Sequence, residues 1–139
     1  MSEPAELLHY TLWPVPTALA PMRQAISTWL DAHDWPVNGR RALVHTADES
    51  CSLMILGADQ PPGPPIEIEG AVCSNDFLRY VVLSIHDHSG GYPTSASDPE
   101  TLLSLAIMND AGGDLTIRST PAGVVVIVTS EPVMMIPRK

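Results

Sequence analysis

Only two cysteines, Cys51 and Cys73, occur among the 139 residues. Their spacing fits no CxxC or zinc-ligand pattern, and two thiols without such a frame read as buried side chains. Cationic residues are scarce as well. Seven Lys and Arg stand against 16 Asp and Glu, for a net charge of −9. Nucleic acids and anionic membranes are held by clustered Lys and Arg, so neither is expected as a main partner. No uncharged apolar run reaches about 18 residues, which excludes a spanning helix. The opening MSEPAELLHY carries neither the basic nor the apolar region of a secretory leader, so a cytoplasmic location is expected.

What is present suits a packed core. Hydrophobic residues make up 45% and charged residues 17%, which is not a disordered composition. The length fits one domain, residues 1–139, with a single core. Prolines gather in clusters such as Pro61-Pro62-Gly63-Pro64-Pro65 and punctuate the chain.

Leu7 to Trp13 is rich in strand formers and stops at Pro14, predicting a first strand at a sheet edge. Leu19, Met22, Ile26, Trp29 and Leu30 recur at helical steps from Thr17 to about His33, with Thr17 as N-cap. Asn38 is placed as cap of a second helix running to about Leu56 and ended by Gly57. Its apolar face is Leu43, Val44, Ala47, Cys51, Met54 and Ile55, with Thr46, Glu49, Ser50 and Leu53 off the centre line. Ile66 to about Val72 and Phe77 to Ile85 form a hairpin around Ser74-Asn75-Asp76. His86 to Pro93 is a loop and Thr94 to Pro99 a polar segment. A third helix is predicted from about Glu100 to Asn109. Leu115 to Ser119 and Val124 to Thr129 form a last hairpin around Pro121-Ala122-Gly123. The order β-α-α-β-β-α-β-β predicts an α+β, two-layer sandwich: three helices on one face of a mixed, mostly antiparallel sheet.

This order and the wording of two segments resemble the histidine kinase-like ATPase (Bergerat) fold, nearest the anti-sigma-factor serine kinases of bacteria. The resemblance covers nearly the whole chain. The stretch Ala42 to Leu53 is similar to the family's second helix, where a Glu is followed four residues later by an Asn. Four residues put both side chains on one helix face. There the Glu can polarise a water and the Asn can hold magnesium. Glu49 matches the catalytic Glu, while the Asn place is Leu53, which offers no oxygen to a metal. The segment Val82 to Pro93 resembles the family's Asp-x-Gly-x-Gly. This implies Asp87 as acceptor for the adenine amino group, with Ser89 in the first glycine place and Gly91 in the second. The glycine-rich phosphate segment is replaced by Asp98-Pro99-Glu100-Thr101-Leu102-Leu103. Two carboxylates there repel a triphosphate.

The resemblance therefore implies a degenerate member in which the adenine end is partly retained, the magnesium and phosphate end is largely lost, and ATP binding is weak or absent. Its function would be that of a signalling regulator binding a protein partner, sigma-factor-like or antagonist-like. Two alternatives stand beside it: an active ATP-dependent serine kinase, and a ligand-free structural or oligomerisation module.

Other residues carry weaker signals. His86 and His88 would share a strand face, so two imidazoles could meet one ion, but no third ligand is identifiable. No Gly-x-Ser-x-Gly elbow supports a hydrolase. His45 as phosphoacceptor lacks a dimerising helical hairpin. Trp13, Trp29 and Trp35 flank the first helix as core residues or a partner patch. Met134, Met135 and Ile136 offer a surface for pairing at a sheet edge or in a homodimer.

Overall fold

A computed structural model describes residues 7–56, 64–74, 77–88, 114–120 and 123–134. Strand β1 (Leu8–Leu12) leads through a short 3-10 turn (Pro16–Ala18) into helix α1 (Leu19–Ala32) and helix α2 (Val37–Leu56). Strands β2 (Ile66–Ser74), β3 (Leu78–Asp87), β4 (Asp114–Thr120), β5 (Gly123–Thr129) and the short β6 (Val133–Met134) follow. The sheet order is β1-β2-β3-β5-β4, with β6 pairing with β3 below β5. Every pairing among the described strands is antiparallel, so the sheet is not mixed here. The expected edge strand is β1, and both expected hairpins form, β2 with β3 and β4 with β5. The third helix, residues 57–63 and the polar segment 94–99 lie outside the described residues.

Alternation along β3 sets the two faces. Val81, Leu83, Ile85 and Asp87 are buried and Val82, Ser84 and His86 are half-buried, the period of two that a half-covered strand requires. The buried set joins Ile66 and Ile68 of β2, Val126 and Val128 of β5, Met22, Ile26, Trp29 and Leu30 of α1, and Leu43, Ala47, Cys51 and Met54 of α2 in one core. Both described helices therefore cover the same face. Gly70 shows how close they come. A Cβ there would lie 3.0 Å from both Leu83 and the Trp29 ring, so α1 can approach β2 only over a bare backbone.

Four local expectations are corrected. Thr17 lies inside the 3-10 turn, and the N-cap of α1 is Ala18, without a side-chain cap bond. Asn38 sits within the first turn of α2, not before it. Strand β3 runs two residues past Ile85, so His86 and Asp87 belong to the sheet. The pairings His86 with Val125 and Asp87 with Val124 hold them there. On α2, Thr46, Ser50 and Leu53 are buried with the apolar face. The two hydroxyls tolerate burial because each donates one turn back, Thr46 to the Ala42 carbonyl at 2.9 Å and Ser50 to that of Thr46 at 2.8 Å, which satisfies them inside the helix.

Candidate functional site

Asp87 ends β3 in the same phase as Val81, Leu83 and Ile85, so its carboxylate faces the helical layer. The residue is 2% exposed. A buried carboxylate has few competing waters and fixed lone-pair directions, which suits recognition of an N–H donor. Across the layer stands Cys51 of α2. Burial pushes its thiol well above the ordinary range, and the negative charges of Asp48 and Asp87 push it further. The end of β3 and the C-terminal half of α2 thus face each other across the core.

Glu49 lies on α2 half-buried, two residues before Cys51. Leu53, one turn on, is 3% exposed and part of the core. The flank that carries Glu49 therefore turns inward along the helix and ends in hydrocarbon. Magnesium would need several oxygen ligands, and among the described residues no group of three or more His, Cys, Asp or Glu is placed to hold a metal. Ser89 and Gly91 lie outside the described residues.

His86 and His88 do share a face, as the strand period requires. Their rings stack with centroids 3.9 Å apart. Neither belongs to a group of three or more His, Cys, Asp or Glu placed to hold a metal among the described residues. His88 Nε2 lies 2.8 Å from Glu67 Oε2, and His9 Nε2 lies 3.8 Å from the other oxygen. The hydrogen bond with His88 and the charges of three imidazoles lower the Glu67 pKa.

Grooves of about 390, 370 and 360 Å³ are among those that open on the described surface, and Asp87 is not in the lining of these. The first runs along the outer side of α1 and α2 and gathers Arg23, Arg40, Arg41 and His45. Arg23 is held by Asp48 at 2.9 Å and Arg40 by Asp31 at 3.0 Å. Sequence reading had not singled these arginines out, because they fall on two helices. Their shared groove follows only from how the helices pack.

The tryptophans divide. Trp29 and Trp35 are core residues, whereas Trp13 is 60% exposed. Phe77 and Met134 are exposed too. They lie together at one end of the sheet, since Leu78 pairs with Met134. Met135 and Ile136 lie outside the described residues.

No family model matches this chain, and no curated protein matches it. Among solved structures the chain is similar to the RsbU and RsbW domains of Rv1364c from Mycobacterium tuberculosis, with a TM-score of 0.74 at 18% identity. The match covers 93% of this chain and 33% of the other, so the chain spans about a third of that structure's length. At that identity the likeness is one of fold, and an α+β sheet with helices on one face is what the two share.

Proposed function

We propose that this chain is a signalling regulator similar to the bacterial anti-sigma-factor serine kinases, acting by binding a protein partner. In this reading the nucleotide end of the scaffold is degenerate. The carrying observation is Leu53, 3% exposed in the core at the place where the resembled family needs a metal-binding Asn. A phosphoryl-transfer site depends on its metal for positioning and charge, and a buried leucine cannot be recruited to that task by a rotamer change. The fold match to a chain carrying RsbU and RsbW domains supports the same reading. The exposed Trp13, and Phe77 beside Met134, supply the aromatic and methionine surface on which protein partners dock.

Asp87 favours a second reading. Its burial on the helical face suits an adenine contact, and with Glu49 as base the chain would be an ATP-dependent serine kinase. Melting temperature measured with ATP, with and without magnesium, separates the two. A ligand at 100 times its dissociation constant adds about 2.7 kcal/mol of stability. The regulator reading expects no magnesium-dependent rise and no phosphate transfer to seryl substrates. A rise that needs magnesium and disappears in Asp87→Asn, with transfer lost in Glu49→Gln, would replace it with the kinase.

A further inference from the structure

The groove of about 370 Å³ lies between the start of α2 and the segment after β5. Its lining includes Trp35, Asn38, Gly39, Ser130 and Glu131. On the α2 side, Trp35 is 2% exposed, and its indole Nε1 has no hydrogen-bond partner among the described residues. A buried N–H without an acceptor is costly and rare. Gly39 lies directly against it: a Cβ on Gly39 would stand 2.9 Å from Nε1 and 3.4 Å from Cδ1. Glycine makes room for the indole here, and a side chain at this position would displace the ring. The first turn of a helix also has amides with no carbonyl inside the helix. In α2 the Arg40 amide is the first to find one, the Pro36 carbonyl at 2.8 Å. Ahead of it stand the amides of Val37, Asn38 and Gly39. No acidic side chain sits in that turn to answer them.

The opposite wall has the reverse character. Ser130 Oγ accepts from the Val81 amide at 2.8 Å and donates to the Glu131 carbonyl at 3.1 Å, so its hydroxyl is engaged. Glu131 is exposed and belongs to the lining of the groove. One wall thus offers donors and the positive end of a 20-residue helix, and the other an anion. A plain anion would meet Glu131, and a plain cation would meet the helix end.

We propose that this groove binds a small zwitterion of the amino-acid type. Its carboxylate takes the Trp35 indole N–H and the first-turn amides of α2, and its ammonium pairs with Glu131. The helix dipole favours that orientation, and the volume lies in the range of small-molecule sites. Reaching the indole requires the first turn of α2 to lift slightly, which glycine at its third residue makes easiest. Gly39 and Cys51 are separated by about 18 Å of helix, so the site is distinct from the Asp87 end.

Two-dimensional NMR of the indole N–H groups tests this, with free glycine, alanine, serine and glutamine as probes and acetate and ethylamine as controls. At least one amino acid should move the Trp35 signal saturably, at about a tenfold lower concentration than either control, while the exposed Trp13 signal stays still. Glu131→Gln should weaken that binding about tenfold without altering the melting temperature. Gly39→Ala should abolish it while leaving the Trp29 signal in place. No movement with any amino acid, equal movement with acetate, or binding indifferent to Glu131→Gln would each overturn the assignment. The Glu131 variant stands outside the core, so it decides the matter even where Gly39→Ala fails to fold.

Discussion

The guanidinium of Arg79 lies 5.2 Å from the centre of the Trp35 ring. The same group donates to the carbonyls of His33 at 2.9 Å and Asp34 at 3.0 Å. One side chain from β3 therefore fastens the connection between α1 and α2, where Asp34 holds a positive φ of 55°. Arg79→Ala is expected to lower stability by about 2–3 kcal/mol, from two charge-assisted hydrogen bonds and a cation–π contact. Arg79→Lys should recover less than half, because an ammonium cannot reproduce the planar fork. Urea unfolding of the three proteins checks both.

Leu53→Asn restores the polar side chain that the resembled family carries. Here the position is in the core, so the expected result is a loss of about 2–4 kcal/mol without any gain of magnesium-dependent ATP binding. Thermal melts of the variant with and without ATP and magnesium measure both halves.

Gly70→Ala pushes a methyl against Leu83 and the Trp29 ring at 3.0 Å. Neither neighbour is the loose end of a flexible chain, and overpacking of this kind costs about 1–3 kcal/mol. The Trp29 indole signal should shift together with the loss of stability. An unchanged melting point would mean that α1 moves away from β2 freely.

The two thiols should behave differently. Cys51 is buried beside Asp48 and Asp87, which raises its pKa, and Cys73 is partly exposed. A thiol reagent at mild alkaline pH should modify Cys73 in the native protein and reach Cys51 only on unfolding. The pH effect follows in sign. Above the ordinary thiol range the unfolded chain gives up the Cys51 proton and the native chain keeps it, so stability falls as pH rises. Cys51→Ala should flatten that alkaline decline.

Glu67 has a lowered pKa, first through its hydrogen bond with His88. A depressed carboxyl stabilises above its unfolded pKa, and that contribution is lost as pH falls through the folded value. His88→Ala should return the Glu67 titration, followed by NMR, toward the ordinary carboxylate range. Added salt should reduce the difference, because the pair is exposed.

Much of the layering was legible from periodicity. Val81, Leu83 and Ile85 announce a half-covered strand, and Met22, Ile26, Trp29 and Leu30 announce a helix face. The end of β3 was harder, since His86-Asp87-His88 has loop composition. Pairing with Val124 and Val125 of β5 outweighs that local preference. The buried face of α2 was misjudged at Thr46 and Ser50 because hydroxyls that bond one turn back can enter a core that side-chain polarity forbids, and at Leu53 because the buried stripe is wider than the apolar one. Asp87 was singled out from its motif, but its closeness to Cys51 was not, because residues 36 positions apart meet only through the packing of strand on helix. The Trp35 indole leaves no mark on the sequence beyond a glycine four residues later.

The sheet joins stretches that are distant along the chain: Leu12 pairs with Ile66, and Asp87 with Val124. Loops of that size must close before any ladder bond rewards them. Refolding is accordingly expected on a scale of roughly milliseconds to seconds, slower than a helical bundle of equal size. During synthesis β1 leaves the ribosome ahead of β2 and waits for it until both intervening helices have been made, so Leu8 and Tyr10 travel uncovered through the interval.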